Sequence, residues 1–326
     1  MFNRIVLLTD EMKNFTSADV TRRDLEGNSS KSTSLIKSSL EKISKEVIHY
    51  TDIPTFISNI HQHKEDIIFP MRYGDNSATS KGLIPSICES NHLTYVGADS
   101  YTHILCNDKY LSKMYASEFG ISSAKSILVR NFDEVELSNR INNLKLPLVV
   151  KPNFGGGSTG ISINNVANSY QIAIDITEKL LKSHNIPILI EEYIKGYEVE
   201  YIMFGNKQII ELTEEVKLLM NDEDFFENTI WGFETKKLDD SSIDFASSSL
   251  LSEHEKLNFE KLFYSFDKIE FMRIDGRIHN DQFYLIELSP DCYLGDDCAF
   301  YYAFKNSGYS YTEMLTMLIS NAQVPC

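Results

Sequence analysis

The chain lacks any long hydrophobic run. No apolar stretch in its 326 residues approaches the roughly 20 residues that a membrane-spanning helix needs. The first ten residues meet polar side chains too early for a signal peptide, so we expect a first β-strand there. We therefore expect a cytoplasmic protein without a membrane partner.

Basic residues are scarce relative to acidic ones. The 31 Lys and Arg residues stand against 47 Asp and Glu residues, which gives a formal net charge of −16. Binding of a nucleic-acid backbone needs clustered Lys and Arg, so we expect no nucleic-acid partner. A local basic pocket for a small nucleotide is still compatible with an acidic surface.

Cysteines are few, odd in number and scattered. None of the five forms a CxxC pair, and they are Cys88, Cys106, Cys292, Cys298 and Cys326. This spacing argues against a disulfide framework and against a zinc site. We expect reduced thiols, in line with a cytoplasmic protein.

The length suits two or three modest domains. Predicted strands at residues 4–8, 66–70 and 95–96 alternate with helices at 34–44 and 82–90. This alternation predicts an open parallel α/β layer over the first hundred residues.

The rest of the chain predicts a mixture of helices and antiparallel strands. A helix capped by Asn107 is expected to reach Phe119 and to stop at Gly120. The alternation of residues 198–204 predicts a half-buried strand. The polar composition of residues 221–250 predicts a surface loop. Further strands are predicted at 125–129, 147–151, 187–192, 270–275 and 283–288. Further helices are predicted between residues 129 and 147, at 170–182, at 253–267 and, as a pair, near the C-terminus.

Residues 148–160 are the most informative segment. A β-branched run leads to Lys151 and Pro152, and a glycine-rich loop carrying Ser158 follows at once. Glycines let several backbone N–H groups approach one anion, and the lysine adds a positive charge. The segment predicts a phosphate site.

Two late strands carry carboxylates. Arg273 and Asp275 share one face of their strand, because side chains alternate along a strand. The neighbouring strand carries Glu287, followed by Ser289 and Asp291. Magnesium prefers one or two carboxylates together with phosphate oxygens. The alternative is a surface ion pair, which the upstream lysine and glycine loop make the less favoured interpretation.

A predicted hairpin near residues 188–200 offers further acidic groups. Its strand edge can present backbone groups to a purine, Glu191 can accept from an exocyclic amine, and Glu198 can accept from ribose hydroxyls. By itself this pattern is weak, because acidic residues that flank a hairpin are usually solvated.

Taken in order, these segments resemble an ATP-grasp enzyme, and most closely the D-alanine–D-alanine ligase-like branch. The similarity covers roughly residue 83 to the C-terminus and depends on Asp108-Lys109, Val149 to Pro152 with the glycine loop, Ile190 to Tyr193 with Gly196 and Glu198, Arg273 to Asp275, and Leu285 to Glu287. The resemblance implies an α+β ATP-grasp fold of two lobes after the α/β layer. We expect domains at 1–100, 101–186 and 187–326.

The resemblance implies ATP and two magnesium ions, which manganese can replace. For the nucleotide it implies Lys109 and Lys151 at the α- and β-phosphates, Gly156, Gly157 and Ser158 in a lid over the β/γ-phosphates, Glu191 with the backbone of Tyr193 and Ile194 at adenine, Glu198 at ribose, and a mobile-loop lysine at Lys236. For the metals it implies Asp275 and Glu287, with Ser289 or Asp291 in place of the usual Asn. Arg273 and Ser158 are the implied catalytic residues, and Arg273 stabilises developing negative charge.

The substrate loops depart from the branch. The usual first-loop Glu and second-loop His are replaced within residues 9–15 and 72–75, and Gly157 and Lys237 stand where the branch has a Ser and a Tyr. We therefore expect a substrate other than D-alanine. Candidate substrate residues are Arg72, which can bind a carboxylate or form a loop ion pair, and Asp297 and Cys298, although a buried helix cysteine is the favoured interpretation of Cys298.

The resulting hypothesis is an ADP-forming ligase that joins a carboxylate and an amine, both small molecules of the amino-acid class, through an acylphosphate. One alternative is an authentic D-alanine–D-alanine ligase of cell-wall synthesis. Another is a nucleotide-binding regulatory or scaffold protein without turnover. The resemblance also allows a homodimer.

Overall fold

A computed structural model describes residues 1–9, 29–72, 77–158, 160–230, 232 and 243–324. Within this part of the chain the strands form three sheets. No described helix is long and apolar enough to cross a membrane.

The first hundred residues form a parallel sheet, here called the N-terminal sheet, with strand order β2-β1-β3-β4. The strands are β1 (Phe2–Thr9), β2 (Ser44–Tyr50), β3 (Ile67–Met71) and β4 (Thr94–Tyr95), and the helices are α1 (Ser30–Ile43), α2 (Ile53–Asn59) and α3 (Leu83–Ser90). The predicted open α/β layer is confirmed. Strand β2 was not predicted, because this edge strand is only partly buried and has no continuous apolar run.

Two short helices follow, α4 (Ser100–Asn107) and α5 (Lys109–Ser117). The N-cap of α5 is Asp108, whose Oδ1 accepts from the Leu111 N–H at 3.0 Å. The prediction that Asn107 caps this helix is therefore wrong. Asn107 ends α4 instead, and its side chain is turned toward the glycine-rich loop.

Four antiparallel strands form the central sheet, in the order β5-β8-β6-β7. They are β5 (Ser126–Val129), β6 (Leu148–Pro152), β7 (Val166–Ala167) and β8 (Ile188–Glu192), and α6 (Glu134–Ile141) and α7 (Tyr170–His184) belong to the same part of the chain. Leu148 and Val150 of β6 pack into the apolar core beneath the helices. Their neighbours Val149 and Lys151 face the opposite side. The pairing of β8 places it in this sheet, although the predicted boundary at residue 187 assigns it to the next lobe.

The large sheet has strand order β12-β10-β9-β13-β14, and β11 pairs with the start of β9. The strands are β9 (Gly196–Gly205), β10 (Ile210–Met220), β11 (Phe225–Phe226), β12 (Ile243–Ser247), β13 (Phe271–His279) and β14 (Gln282–Ser289), followed in chain order after β12 by α8 (Glu253–Tyr264). The predicted loop 221–250 thus contains two short strands. Residues 231 and 233–242 of that segment lie outside the described residues.

The prediction that β9 is half-buried is wrong. Residues 199–205 are buried throughout, because β9 is a central strand between β10 and β13. Its polar face is covered by other charged side chains instead of solvent. Glu200 on that face lies beside Arg273 of β13, with 3.5 Å between Glu200 Oε2 and Arg273 Nε.

The C-terminal helices join the N-terminal sheet to the large sheet. Helices α9 (Ala299–Asn306) and α10 (Tyr311–Asn321) contribute to one apolar core with β1, α1 and β9. Within it, the rings of Phe204 and Phe304 lie 5.1 Å apart between centroids. This shared core fixes the N-terminal sheet against the strands that carry the predicted site.

The cysteine prediction can be checked for four of the five residues. Cys88, Cys106, Cys292 and Cys298 are buried free thiols, as expected. Cys326 lies outside the described residues.

Candidate functional site

A cleft of about 990 Å³, counting the space open to solvent, lies between the central sheet and the large sheet. Both sheets turn their polar faces toward it. The structure brings together in its walls most of the predicted site residues, namely Lys109, Lys151, Gly156, Ser158, Glu191, Tyr193, Ile194, Glu198, Arg273, Asp275 and Glu287. Residues that lie far apart in sequence thus form one site.

The glycine-rich loop closes one end of the cleft. Gly155 has φ +89° and its N–H donates to Asn107 Oδ1 at 2.9 Å. Gly160 has φ +69°, and a Cβ there would lie 2.7 Å from the Pro152 side chain. Both positions therefore require glycine, and Ser158 also adopts a left-handed conformation, with φ +58°.

Lys109 is the first residue of α5 and projects from the helix start into the cleft. Its Nζ donates to the carbonyl of Gly155 and lies 3.7 Å from Glu287 Oε2. The Lys109 N–H donates to the Asn153 carbonyl at 3.0 Å. These contacts hold a buried ammonium group between the loop and the carboxylate of β14.

Glu191 lies between two lysines. Lys151 Nζ is 2.5 Å from Glu191 Oε1, and Lys113 Nζ contacts Oε2. Burial alone would raise the pKa of Glu191, but the two ammonium groups lower it to about 2. Burial lowers the pKa of Lys113 to about 8, and Glu191 opposes that shift. The three side chains form a buried cluster with a net positive charge.

Sequence analysis missed Lys113. It lies four residues after Lys109, so the two lysines share a face of α5. That spacing was the available signal.

Strands β13 and β14 present the predicted metal carboxylates. Asp275 and Glu287 are direct partners across the two strands. Arg273 donates to both oxygens of Asp275, from Nε and Nη2, each at 2.7 Å. Burial raises the pKa of Asp275, against the effect of Arg273, and the carboxylate of Glu200 adds to the rise.

The residues present fit a magnesium ion whose ligands are protein carboxylates together with phosphate oxygens. Among the described residues, no three or more His, Cys, Asp or Glu side chains form a group that could hold a metal ion. Asp275 and Glu287 supply two carboxylates, and magnesium is commonly held by one or two carboxylates with substrate phosphates.

Arg277 is a second residue that sequence analysis missed. It follows Asp275 by two positions on β13 and therefore faces the cleft as well. Its Nε and Nη2 donate to Glu198 Oε2 at 3.0 and 2.9 Å. The alternation of residues 273, 275 and 277 was the signal for it.

A second and smaller cavity, of about 470 Å³ when the space open to solvent is counted, lies between the end of β3 and the end of β14. It is lined by Arg72, Lys81, His103 and Asp291, among others. Lys81 Nζ is 2.8 Å from Asp291 Oδ2. Burial would raise the pKa of Asp291, but Lys81 and His103 hold it below its usual range.

Other predicted residues lie away from the cleft walls. Asp291 faces the second cavity and Ser289 ends β14, so the choice between them as a metal ligand stays a prediction. Asp297 is exposed before α9. Cys298 is buried and caps α9, where its Sγ accepts from the Tyr301 N–H at 3.3 Å.

The mobile-loop lysine and most of the first substrate loop cannot be placed in this site. Lys236, Lys237 and residues 10–15 lie outside the described residues. Gly157 belongs to the glycine-rich loop, with φ +60°.

Comparison with known proteins finds one family throughout. A family model described as D-ala D-ala ligase C-terminus matches residues 116–320. The D-alanine–D-alanine ligase of Wigglesworthia glossinidia brevipalpis is 31% identical over 156 residues, covering 47% of this chain and 43% of that protein. The Helicobacter pylori (strain HPAG1) enzyme of the same name is 27% identical over 212 residues, covering 64% and 58%. The chain spans about half the length of the curated relatives it matches.

Solved structures match over nearly the whole chain. The D-alanine–D-alanine ligase from Bacillus anthracis complexed with ATP has a TM-score of 0.71 at 18% identity, covering 98% of this chain and 97% of that chain. The VanG D-Ala:D-Ser ligase from Enterococcus faecalis has a TM-score of 0.70 at 20% identity, covering 99% and 100%. These structural matches establish the shared fold and confirm the predicted fold class.

Proposed function

Since this chain belongs to the D-ala D-ala ligase C-terminus family and has the ATP-grasp fold of such ligases, we propose that it is an ATP-dependent, ADP-forming carboxylate–amine ligase. It forms a peptide-like amide through an acylphosphate. The observation that carries the proposal is the cleft, whose walls hold the buried Lys109 and Lys151 together with the paired carboxylates of Asp275 and Glu287. Such a set of charges suits a nucleoside triphosphate with its metal ions.

In this proposal, the nucleotide lies along the cleft with its phosphates at the glycine-rich loop. Lys109 and Lys151 bind phosphate oxygens, and Glu198 accepts from ribose hydroxyls. The Tyr193 N–H donates to the Pro147 carbonyl at 2.9 Å, so backbone donation to adenine is assigned to Ile194. Glu191 orients Lys151 and keeps further lone pairs for the adenine amine.

Asp275 and Glu287 are the proposed magnesium ligands. The metal ions would neutralise phosphate charge and help to align the transfer. Arg273 binds Asp275 through both carboxylate oxygens and keeps that side chain oriented. Its own positive charge stabilises negative charge on the oxygens that come from the carboxylate substrate.

The chemistry has two steps. The substrate carboxylate attacks the γ-phosphate of ATP, which gives an acylphosphate and ADP. The amine then attacks the acyl carbon, the amide bond forms, and phosphate leaves. Ser158 and the glycine-rich loop lie over the phosphates and exclude water, which would otherwise hydrolyse the acylphosphate.

We propose that the substrates are amino acids other than D-alanine. The departures of residues 9–15, 72–75 and Gly157 from the branch support a substrate other than D-alanine. The second cavity supports an amino acid, because it adjoins the end of β14 and carries Arg72, Lys81 and Asp291. An amino acid has a carboxylate and an ammonium group that such side chains recognise. A D-alanine–D-alanine ligase remains the second candidate, because curated relatives carry that name.

Phosphate release tests the proposal. The protein is incubated with ATP, magnesium and separate pools of D- and L-amino acids. Release that depends on particular amino acids is the expected result and identifies the substrates. D-alanine as the sole best substrate would overturn the proposed specificity. ATP binding without release in any pool would favour a nucleotide-binding protein without turnover.

A further inference from the structure

Arg277 lies at the ribose end of the cleft and is 5% exposed. Both of its hydrogen bonds to Glu198 end on the same carboxylate oxygen, Oε2. Glu198 itself lines the cleft. The arginine therefore fixes the carboxylate through one oxygen, Oε2, and neither of these two hydrogen bonds uses Oε1.

The same guanidinium joins two further segments to Glu198. Its Nη1 donates to the Ile194 carbonyl and its Nη2 to the Thr229 carbonyl, each at 2.8 Å. The guanidinium carbon lies 5.0 Å from the centre of the Tyr193 ring. One side chain thus connects β9, the turn before it and the segment after β11.

Arg277 keeps its positive charge in the folded protein. Burial disfavours the guanidinium cation, but Glu198 and Tyr193 raise the pKa of Arg277 above its ordinary value. A buried carboxylate without its cation would lose both its orientation and its favourable charge interaction. The position of Glu198 therefore depends on Arg277.

We propose that Arg277 is a positioning residue that sets the orientation of Glu198 toward the ribose hydroxyls and so gives the site its preference for ribonucleotides over deoxyribonucleotides. This inference rests on the proposed binding of ATP. Arg277 acts through Glu198 and does not contact the reacting atoms.

The test compares ATP with 2′-deoxyATP and 3′-deoxyATP, by direct binding and by phosphate release. A hydrogen bond to a charged group contributes about 1.5–3 kcal/mol, so the unaltered protein should prefer ATP over one deoxy analogue by about tenfold or more. Arg277→Met should reduce the preference ratio, which is the affinity for ATP divided by that for the deoxy analogue, toward one. The change should lie mainly in the KM for the nucleotide, with little change in kcat. Arg277→Lys should restore part of the ratio. Lys195→Met, which removes an exposed cation from the adjacent turn, should leave it unchanged.

A double variant separates positioning from folding. Arg277→Met combined with Glu198→Gln removes both buried charges and should show the same low ratio as either single variant. If Arg277→Met lowers stability or overall affinity but keeps the full ratio, the residue is only structural. If Arg277→Met does not fold, Arg277→Lys decides the matter by the same criterion. Equal binding of ATP and both analogues by the unaltered protein would also overturn the inference, whereas failure to bind ATP at all would overturn the proposed function instead.

Discussion

The cleft and the second cavity differ in how their charges are paired. In the cleft, the acidic groups meet nearby cations: Glu191 contacts two lysines, Asp275 contacts Arg273, and Glu198 contacts Arg277. The second cavity contains the pair of Lys81 and Asp291, and there the buried His103 Nδ1 has no hydrogen-bond partner among the described residues.

This difference in charge pairing indicates the kind of ligand that each cavity is suited to bind. A dense, pre-arranged set of charges suits a polyanion, because fixed dipoles and charges need no reorganisation when it binds. A cavity with an unsatisfied buried nitrogen suits a small polar ligand that completes its hydrogen bonds.

Asp275→Asn should abolish amino-acid-dependent phosphate release. The amide keeps the shape of the side chain but removes one of the two carboxylates proposed to hold magnesium. A bound metal supplies several kcal/mol of charge stabilisation, which corresponds to a loss of about a thousandfold or more in rate. Rates at saturating ATP and magnesium measure it.

The matched control is Asp281→Asn, in the exposed turn of the same β-hairpin. It should keep full activity. Full activity in Asp275→Asn, with the circular dichroism of the unaltered protein, would mean that the metal assignment is wrong.

Glu191→Gln should destabilise the protein by about 3 kcal/mol. The change leaves Lys113 and Lys151 buried without the carboxylate that both contact, and breaking a buried ion pair typically costs about 3–5 kcal/mol. Urea unfolding measures the loss. Glu178→Gln, whose side chain is 41% exposed and pairs with Lys182, should cost at most about 0.5 kcal/mol. Equal costs for the two variants would show that Glu191 does not hold the lysine cluster together.

The contrast between the cavities also explains what the sequence could predict of the site. Lys151, Glu191 and Asp275 were found because their segments, taken in order, resemble an ATP-grasp enzyme, whereas the local pattern alone also allowed surface carboxylates at Glu191 and Asp275. Lys113 was missed because its partner lies 78 residues away. The pair of Lys81 and Asp291 joins two distant parts of the chain, and no local period indicates such a contact.

The fold shows the same limit. The parallel N-terminal sheet followed from the order of strands and helices, which is a local property. The burial of β9 did not follow from a local property. Alternation indicates that a strand has two different faces, but it does not distinguish a face in contact with solvent from a face in a polar cleft. The sheet to which β8 belongs depends on its long-range pairing with β5 and β6.

The pH dependence of stability should report the buried lysine cluster. The pKa of Lys113 is about 8 in the folded protein and about 10.5 in the unfolded chain. Between these values the unfolded state binds more protons, so the contribution of Lys113 to the free energy of unfolding rises with pH. From about pH 7 to about pH 9.5, the unaltered protein should gain about 2 kcal/mol relative to Lys113→Met. Urea unfolding at each pH measures the difference.

Lys182→Met provides the reference for that experiment. Its side chain is 72% exposed, so its stability curve should run parallel to that of the unaltered protein. A parallel curve for Lys113→Met as well would mean that the pKa of Lys113 is not lowered by burial.

Asp291→Asn gives the smallest expected effect and separates the two cavities most directly. The change removes the charge that Lys81 contacts at 2.8 Å in the second cavity. If that cavity receives the amino-acid substrate, the KM for the amino acid should rise about tenfold in Asp291→Asn. A rise of this size matches the loss of about one hydrogen bond to a charged group. The KM for ATP and the magnesium dependence should stay unchanged.

Ser289→Ala tests the other candidate ligand at the end of β14, and a changed magnesium dependence there would assign the third metal position to Ser289. A changed magnesium dependence in Asp291→Asn, with an unchanged KM for the amino acid, would instead make Asp291 a metal ligand and join the second cavity to the nucleotide site.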